Sequence, residues 1–192
     1  HALQLGWPHV DGLRHNRMPH RWFADDHPAS PDAAPLPLRQ AAILTDFDEL
    51  PFASGSLDLV LLPHTLEVAC DPHRTLREVE RVLVPEGRVV VVGLNPASLW
   101  GVRQRAGRLA RRLGLGTLFL PEAGEFIGPG RLRDWMRLLD LDIEHLETGC
   151  WRPPLRSQRW LDRWDWMDEA GARWWPVFGA VDVMVAVKRV RG

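Results

Sequence analysis

Asp46 and His64 are the residues of this chain whose type and setting best suit chemistry. Each stands at the end of a short apolar run: Asp46 closes Ala41-Ala42-Ile43-Leu44-Thr45, and His64 follows Leu57-Asp58-Leu59-Val60-Leu61-Leu62-Pro63. A carboxylate only accepts hydrogen bonds and so suits a ligand rich in donors, whereas an imidazole can take a proton from an oxygen or nitrogen nucleophile near neutral pH. Asp25 and Asp26, after His20-Arg21-Trp22-Phe23-Ala24, make a second acidic candidate, and Glu67 follows His64 by three residues. Plainer roles compete for each. Asp46 could be a turn-initiating residue, Asp25 and Asp26 solvated loop acids, and His64 a structural hydrogen-bonder.

The elements that must position these residues are strands and a helix. The runs 41–45, 57–62 and Val89-Val90-Val91-Val92 are nearly continuous in apolar character, as expected of strands covered on both faces in a parallel sheet. Between the second and third, Asp71 is an N-cap candidate, Pro72 occupies the first helical position, and Leu76, Val79, Val82 and Leu83 repeat at helical spacing before Pro85 and Gly87. Strand, helix and strand form a βαβ unit, and open parallel sheets bind ligands outside the carboxyl ends of their strands. Those ends are Asp46-Phe47, Pro63-His64-Thr65 and Gly93-Leu94-Asn95.

Asp46-Phe47-Asp48-Glu49-Leu50-Pro51-Phe52-Ala53-Ser54-Gly55-Ser56-Leu57-Asp58-Leu59-Val60, with Asp71-Pro72 and Leu83-Val84-Pro85-Glu86-Gly87-Arg88 at matching distances, resembles the class I S-adenosylmethionine-dependent methyltransferases, and more narrowly the methyltransferase type 11 group. The resemblance implies an α/β fold: a Rossmann-like, doubly wound, mostly parallel sheet with a terminal antiparallel strand, here abbreviated in its amino-terminal part. It implies S-adenosylmethionine as cofactor. It also implies that Asp26 accepts from the ribose hydroxyls and Asp46 from the exocyclic amine of adenine, with Phe47 beside the ring and His64 near the methyl-transfer centre. Gly6 takes the place of the first glycine of the cofactor loop, while Trp7 and Pro8 stand where that family keeps small residues.

A formal charge of -1 gives no global pull toward nucleic acid or an anionic membrane. Two cysteines make no disulfide framework and no metal spacing, so a reduced, cytoplasmic setting is expected. No apolar run reaches the ~20 residues of a membrane helix, and no signal peptide is visible. The chain opens at His1 already in a strand-like run, Ala2-Leu3-Gln4-Leu5, which points to residues upstream.

The length suits a single domain over 1–192. Pro28, Pro31, Pro35 and Pro37 mark a loop. Asn95 to Gly101 reads as a loop as well, followed by a basic amphipathic stretch with Arg103, Arg105, Arg108, Arg111 and Arg112. The ordinary reading of that stretch is the wet face of a helix; phosphate, nucleic acid or an acidic membrane surface is the alternative. Gly128-Pro129-Gly130 opens a further helix with an apolar stripe of Leu132, Trp135, Met136, Leu138 and Leu139. The runs 141–147 and 181–187 read as the last two strands. Between them, 152–179 forms a Trp-rich insertion. Ten tryptophans occur with no tyrosine, and Trp160, Trp164 and Met167 fall on one helical face, so a packed cap is expected, with a substrate lid or a partner surface as the alternative.

The reading is a methyltransferase acting on a small molecule, with nucleic acid not indicated and the oligomeric state open. A methyltransferase-like binding module without activity is the alternative, motivated by Trp7 and Pro8. A nicotinamide-dependent dehydrogenase would require a G-x-G-x-x-G turn that Leu5 to Gly12 lacks.

Overall fold

The computed structural model describes residues 1–27, 42–114, 124, 126–154 and 158–189. The proline-marked loop of 28–37 lies outside the described residues, as do Ala41 and the side chain of Trp160. The strands are β1 (Ala2–Leu5), β2 (Arg21–Asp25), β3 (Ile43–Leu44), β4 (Leu57–Pro63), β5 (Leu83–Leu94), β6 (Leu141–Gly149) and β7 (Val181–Lys188). They form one sheet in the order β3-β2-β1-β4-β5-β7-β6. Pairing is parallel from β3 through β5, and β7 runs antiparallel to both β5 and β6. β7 is therefore terminal in the chain but interior in the sheet.

The helices are α1 (Thr65–Val68), α2 (Pro72–Val82), α3 (Leu99–Arg112), α4 (Pro129–Leu138), α5 (Gln158–Arg163) and α6 (Trp166–Trp174), followed by a 3-10 turn at Pro176–Phe178. α2 begins as the sequence indicates: the Asp71 carboxylate accepts from the backbone N–H of His73 (3.0 Å) and Arg74 (3.1 Å), and Pro72 fills the first position. Its apolar stripe of Leu76, Val79 and Val82 is fully buried against the sheet. The helix stops at Val82, earlier than Pro85 and Gly87 suggest, because Leu83 is already extended and pairs with Leu57. No described helix is long and apolar enough to cross a membrane.

The edge strand β3 shrinks to two residues. Of the α4 stripe, Leu132 and Met136 enter the core and Trp135 and Leu139 pack beside it, but Leu138 is 80% exposed. α3 starts at Leu99, inside the stretch read as a loop, because Ser98 caps it with its hydroxyl accepting from Gly101 N–H at 3.1 Å.

β1 and β2 are parallel, yet residues 6–20 contain turns and no helix. Besides backbone turns such as Val10 N–H to Trp7 O and Arg14 N–H to Asp11 O, two side chains hold further backbone groups of this stretch. Buried Gln4 donates to Val10 O (2.6 Å) and accepts from Gly12 N–H (3.0 Å). Arg21 donates to the carbonyls of Leu13, Arg14 and Asn16 at 3.2 to 3.4 Å. Leu13, in the same stretch, is buried. Two polar side chains thus supply part of what a helical ladder would.

Candidate functional site

The parallel strands bring Gly6, Trp7, Asp26, Asp46, Phe47 and His64 to one edge of the sheet, just past the ends of β1, β2, β3 and β4. Gly6 leaves β1 in the left-handed region (φ 66°), with its N–H donating to Ala24 O at 2.8 Å. A Cβ there would lie 3.2 Å from Phe47 Cζ and 3.5 Å from Thr65 Oγ1. Glycine is favoured on both counts, conformation and closeness. The Thr65 hydroxyl donates to Leu5 O at 2.5 Å and ties the ends of β1 and β4 together.

Asp26, Asp46 and Phe47 line a single cleft of about 320 Å³, together with Asp48, Glu49, Cys70 and Arg74. The lining holds four carboxylates against one guanidinium, so it suits a ligand that is cationic or rich in donors. Among the described residues none donates to the Asp46 carboxylate, so the turn that follows is not closed by its side chain. That turn is closed by the backbone, Glu49 N–H to Asp46 O at 3.2 Å, and by the Thr45 hydroxyl, which donates to Glu49 O at 2.9 Å. Asp26 accepts at 2.7 Å from the ring of exposed His27, whose affinity for a proton this contact raises. Next door, burial pushes the Asp25 carboxyl above the ordinary range, and hydrogen bonding with and charge repulsion from Asp26 add to it. Phe47 is only 4% exposed, and its ring is spent bracing Gly6, so it forms the inner wall of the cleft rather than an open stacking platform.

Trp7 and His64 make a second group beside the first. Both are left-handed (φ 54° and 55°), a conformation that costs a non-glycine residue on the order of 1 kcal/mol. Their rings meet edge to face with centroids 5.2 Å apart. Among the described residues, Trp7 is not part of the lining of the cleft beside Asp46. His64 Nδ1 is buried with no hydrogen-bond partner among the described residues, 3.8 Å from Glu67 Oε1. Glu67 is almost fully buried; one oxygen accepts from Leu94 N–H at 2.5 Å and the other has no partner among the described residues.

Several participants escape sequence inspection. Arg74 reaches the cleft from the first turn of α2, and Gln4 and Thr65 hold the loop and strand ends from buried positions. A polar residue inside an apolar strand run is the signal that marks Gln4.

Residues 26–91 match a family described as a methyltransferase domain. Over 122 residues, 64% of the chain, it is 35% identical to Uncharacterized protein YafS of Escherichia coli (strain K12), covering 47% of that protein. Over 54 residues, 28% of the chain, it is 35% identical to the demethylmenaquinone methyltransferase of Chlamydia pneumoniae, covering 24% of it. The chain thus spans about half or less of the length of these curated relatives. Among solved structures, an S-adenosylmethionine-dependent methyltransferase from Mesorhizobium loti superposes with a TM-score of 0.63 at 17% identity, over 97% of this chain and 89% of that one. Through residues 26–91 in sequence, and through the whole described sheet in architecture, the chain has the fold of the class I S-adenosylmethionine-dependent methyltransferases.

Proposed function

We propose that the chain forms an S-adenosylmethionine-dependent methyltransferase domain acting on a small-molecule acceptor. The observation that carries this reading is the convergence of Asp26, Asp46 and Phe47 on one acid-lined cleft, within the segment that matches the methyltransferase domain family. The residues present fit the cofactor. Asp26 suits ribose hydroxyls and Asp46 the adenine amine, since both ligand groups are donors, and the surplus of carboxylates suits a ligand carrying positive centres. When bound, S-adenosylmethionine supplies a methyl group on a sulfonium, an electrophile that needs alignment and exclusion of water more than activation. Gly6 allows the backbone to approach the ligand. His64, at the end of β4, is placed to take the proton that an oxygen or nitrogen acceptor loses, with its Nδ1 3.8 Å from Glu67 Oε1.

Calorimetric titration with S-adenosylmethionine tests this. The chain is expected to bind, and Asp46→Ala to lose about 1.5 kcal/mol, the scale of a hydrogen bond to a charged group. Undiminished binding by the variant would move the cofactor away from Asp46. Absence of binding by the parent chain would favour the second reading, a module that has kept the fold without the reaction. The left-handed Trp7, with its indole against His64, is the feature that favours that alternative.

A further inference from the structure

α3 is built inside out relative to an ordinary surface helix. Leu99, Val102, Ala106, Leu109 and Leu113 recur at alternating spacings of three and four and so form one stripe along the helix. All five are exposed, and the four larger ones are each more than half exposed. The side packed on the protein holds Gly101 and Gln104 instead. Arg103 borders the stripe on one side and Arg105 and Arg112 on the other, while Arg108 and Arg111 lie toward the packed side; residues 99–112 contain no acid, in a chain whose formal charge is -1.

A second exposed apolar group lies in α6 and the turn after it. Trp166, Trp174, Trp175, Val177 and Phe178, from α6 and the turn after it, are each half or more exposed. They are held to the same edge of the sheet. Trp100 Nε1 donates to Arg152 O at 2.8 Å, Arg103 donates to Pro154 O, and Asn95 Nδ2 donates to Val177 O at 2.9 Å. Arg152 in turn pairs with Asp165 and with Asp168 (2.6 Å), and Trp151 Nε1 donates to Trp175 O at 2.8 Å, so the aromatic cluster sits on a fixed frame.

We infer that α3 and the aromatic cluster are a docking surface for an anionic lipid bilayer. An apolar stripe flanked by arginines matches the layering of such a surface, acyl chains below and phosphates above, and indole rings are favoured at the boundary between the two. A second copy of the chain fits less well, because stripe against stripe sets arginine against arginine. Nucleic acid would use the arginines and leave the stripe in water. The inference does not depend on methyl transfer, and its test involves neither S-adenosylmethionine nor Asp46.

The test is co-sedimentation of the chain with vesicles of phosphatidylcholine alone and of phosphatidylcholine with phosphatidylglycerol, read alongside tryptophan emission. Binding to the anionic vesicles, a blue-shifted emission and release by added salt are expected, with little binding to the neutral vesicles. Arg105→Gln with Arg112→Gln, two exposed arginines on one flank of the stripe, should weaken partitioning roughly thirtyfold, as two charges near an anionic headgroup layer would. Leu109→Gln should weaken it about tenfold. Circular dichroism checks that the variants fold, and the salt dependence of the parent chain stands as a measurement that needs no variant. No sedimentation with anionic vesicles overturns the inference. So do equal binding by both variants, a concentration-dependent dimer that Leu109→Gln abolishes, and oligonucleotide binding that displaces vesicles and is indifferent to Leu109.

Discussion

The two halves of the sheet's ligand-binding edge are made differently. Over β1, β2, β3 and β4 the edge is acidic, cleft-forming and pinned by buried polar side chains: Gln4, Thr65 and Glu67 each capture backbone groups across the loop or between strands. Beyond β5, β7 and β6 the chain continues into α3 and α6, where Trp100 and Arg103 hold backbone carbonyl groups and large apolar side chains are exposed. The first half keeps polar groups inside to shape a site. The second puts apolar groups outside, which costs solvation unless something covers them. The difference suggests recognition of a small polar ligand on one side and of an extended surface on the other.

Substitutions can separate the halves. The largest effect is expected at Gly171, where a Cβ would lie 2.2 Å from Trp151 Cγ. Gly171→Leu should detach the aromatic cluster and cost on the order of 3 kcal/mol, the upper range for overpacking, seen as a lower denaturation midpoint, while S-adenosylmethionine titration is unchanged. Loss of both together would show the two halves to be one cooperative site. Gly6→Ala is the reciprocal change. It forces a left-handed alanine against Phe47, costs about 1–2 kcal/mol, and should impair cofactor binding while leaving vesicle binding intact.

A smaller effect is expected at Trp7. Trp7→Gly relieves left-handed strain of about 1 kcal/mol but gives up the ring contact with His64, worth a similar amount. Stability should barely move. If the indole restricts the cofactor's path, affinity for S-adenosylmethionine rises; equal affinity in a parallel titration would clear Trp7 of that role.

The smallest concerns Asp182, a buried residue of β7 that accepts from the Thr148 hydroxyl at 2.7 Å. Burial raises its carboxyl above the ordinary range, and the threonine hydrogen bond offsets only part of this. Between the unfolded and the raised folded value, the folded chain holds a proton that the unfolded chain has released, so stability falls as pH rises through that window. Asp182→Asn removes the dependence. Thermal melts should show the variant more stable than the parent at neutral pH, with the gain vanishing below the ordinary aspartate range, and cofactor binding unaltered.

Much of the first half could be read directly. The apolar runs at 2–5 and 57–62 and the Asp71-Pro72 start of α2 follow from local rules, continuous apolar character and helix capping, whereas Gly6, Asp26 and Asp46 are singled out by the family resemblance and by their place at strand ends. Glu67 was harder to read, because its role comes from Leu94, 27 residues away on the next strand. The second half was read least well. Trp160, Trp164 and Met167 share a helical period in sequence, but the chain breaks between α5 and α6 and Trp164 falls in the gap.

Sequence by itself determined the period of the main apolar runs and the start of α2, since periodicity and capping act over a few residues. Tertiary structure alone decided which faces are covered. The stripe on α4 turns mostly inward and the stripe on α3 outward, although both have helical spacing. It also decided that β7 inserts between β5 and β6, and that Trp7 and His64 meet. Burial depends on which neighbours the rest of the chain delivers, and no local pattern contains that information.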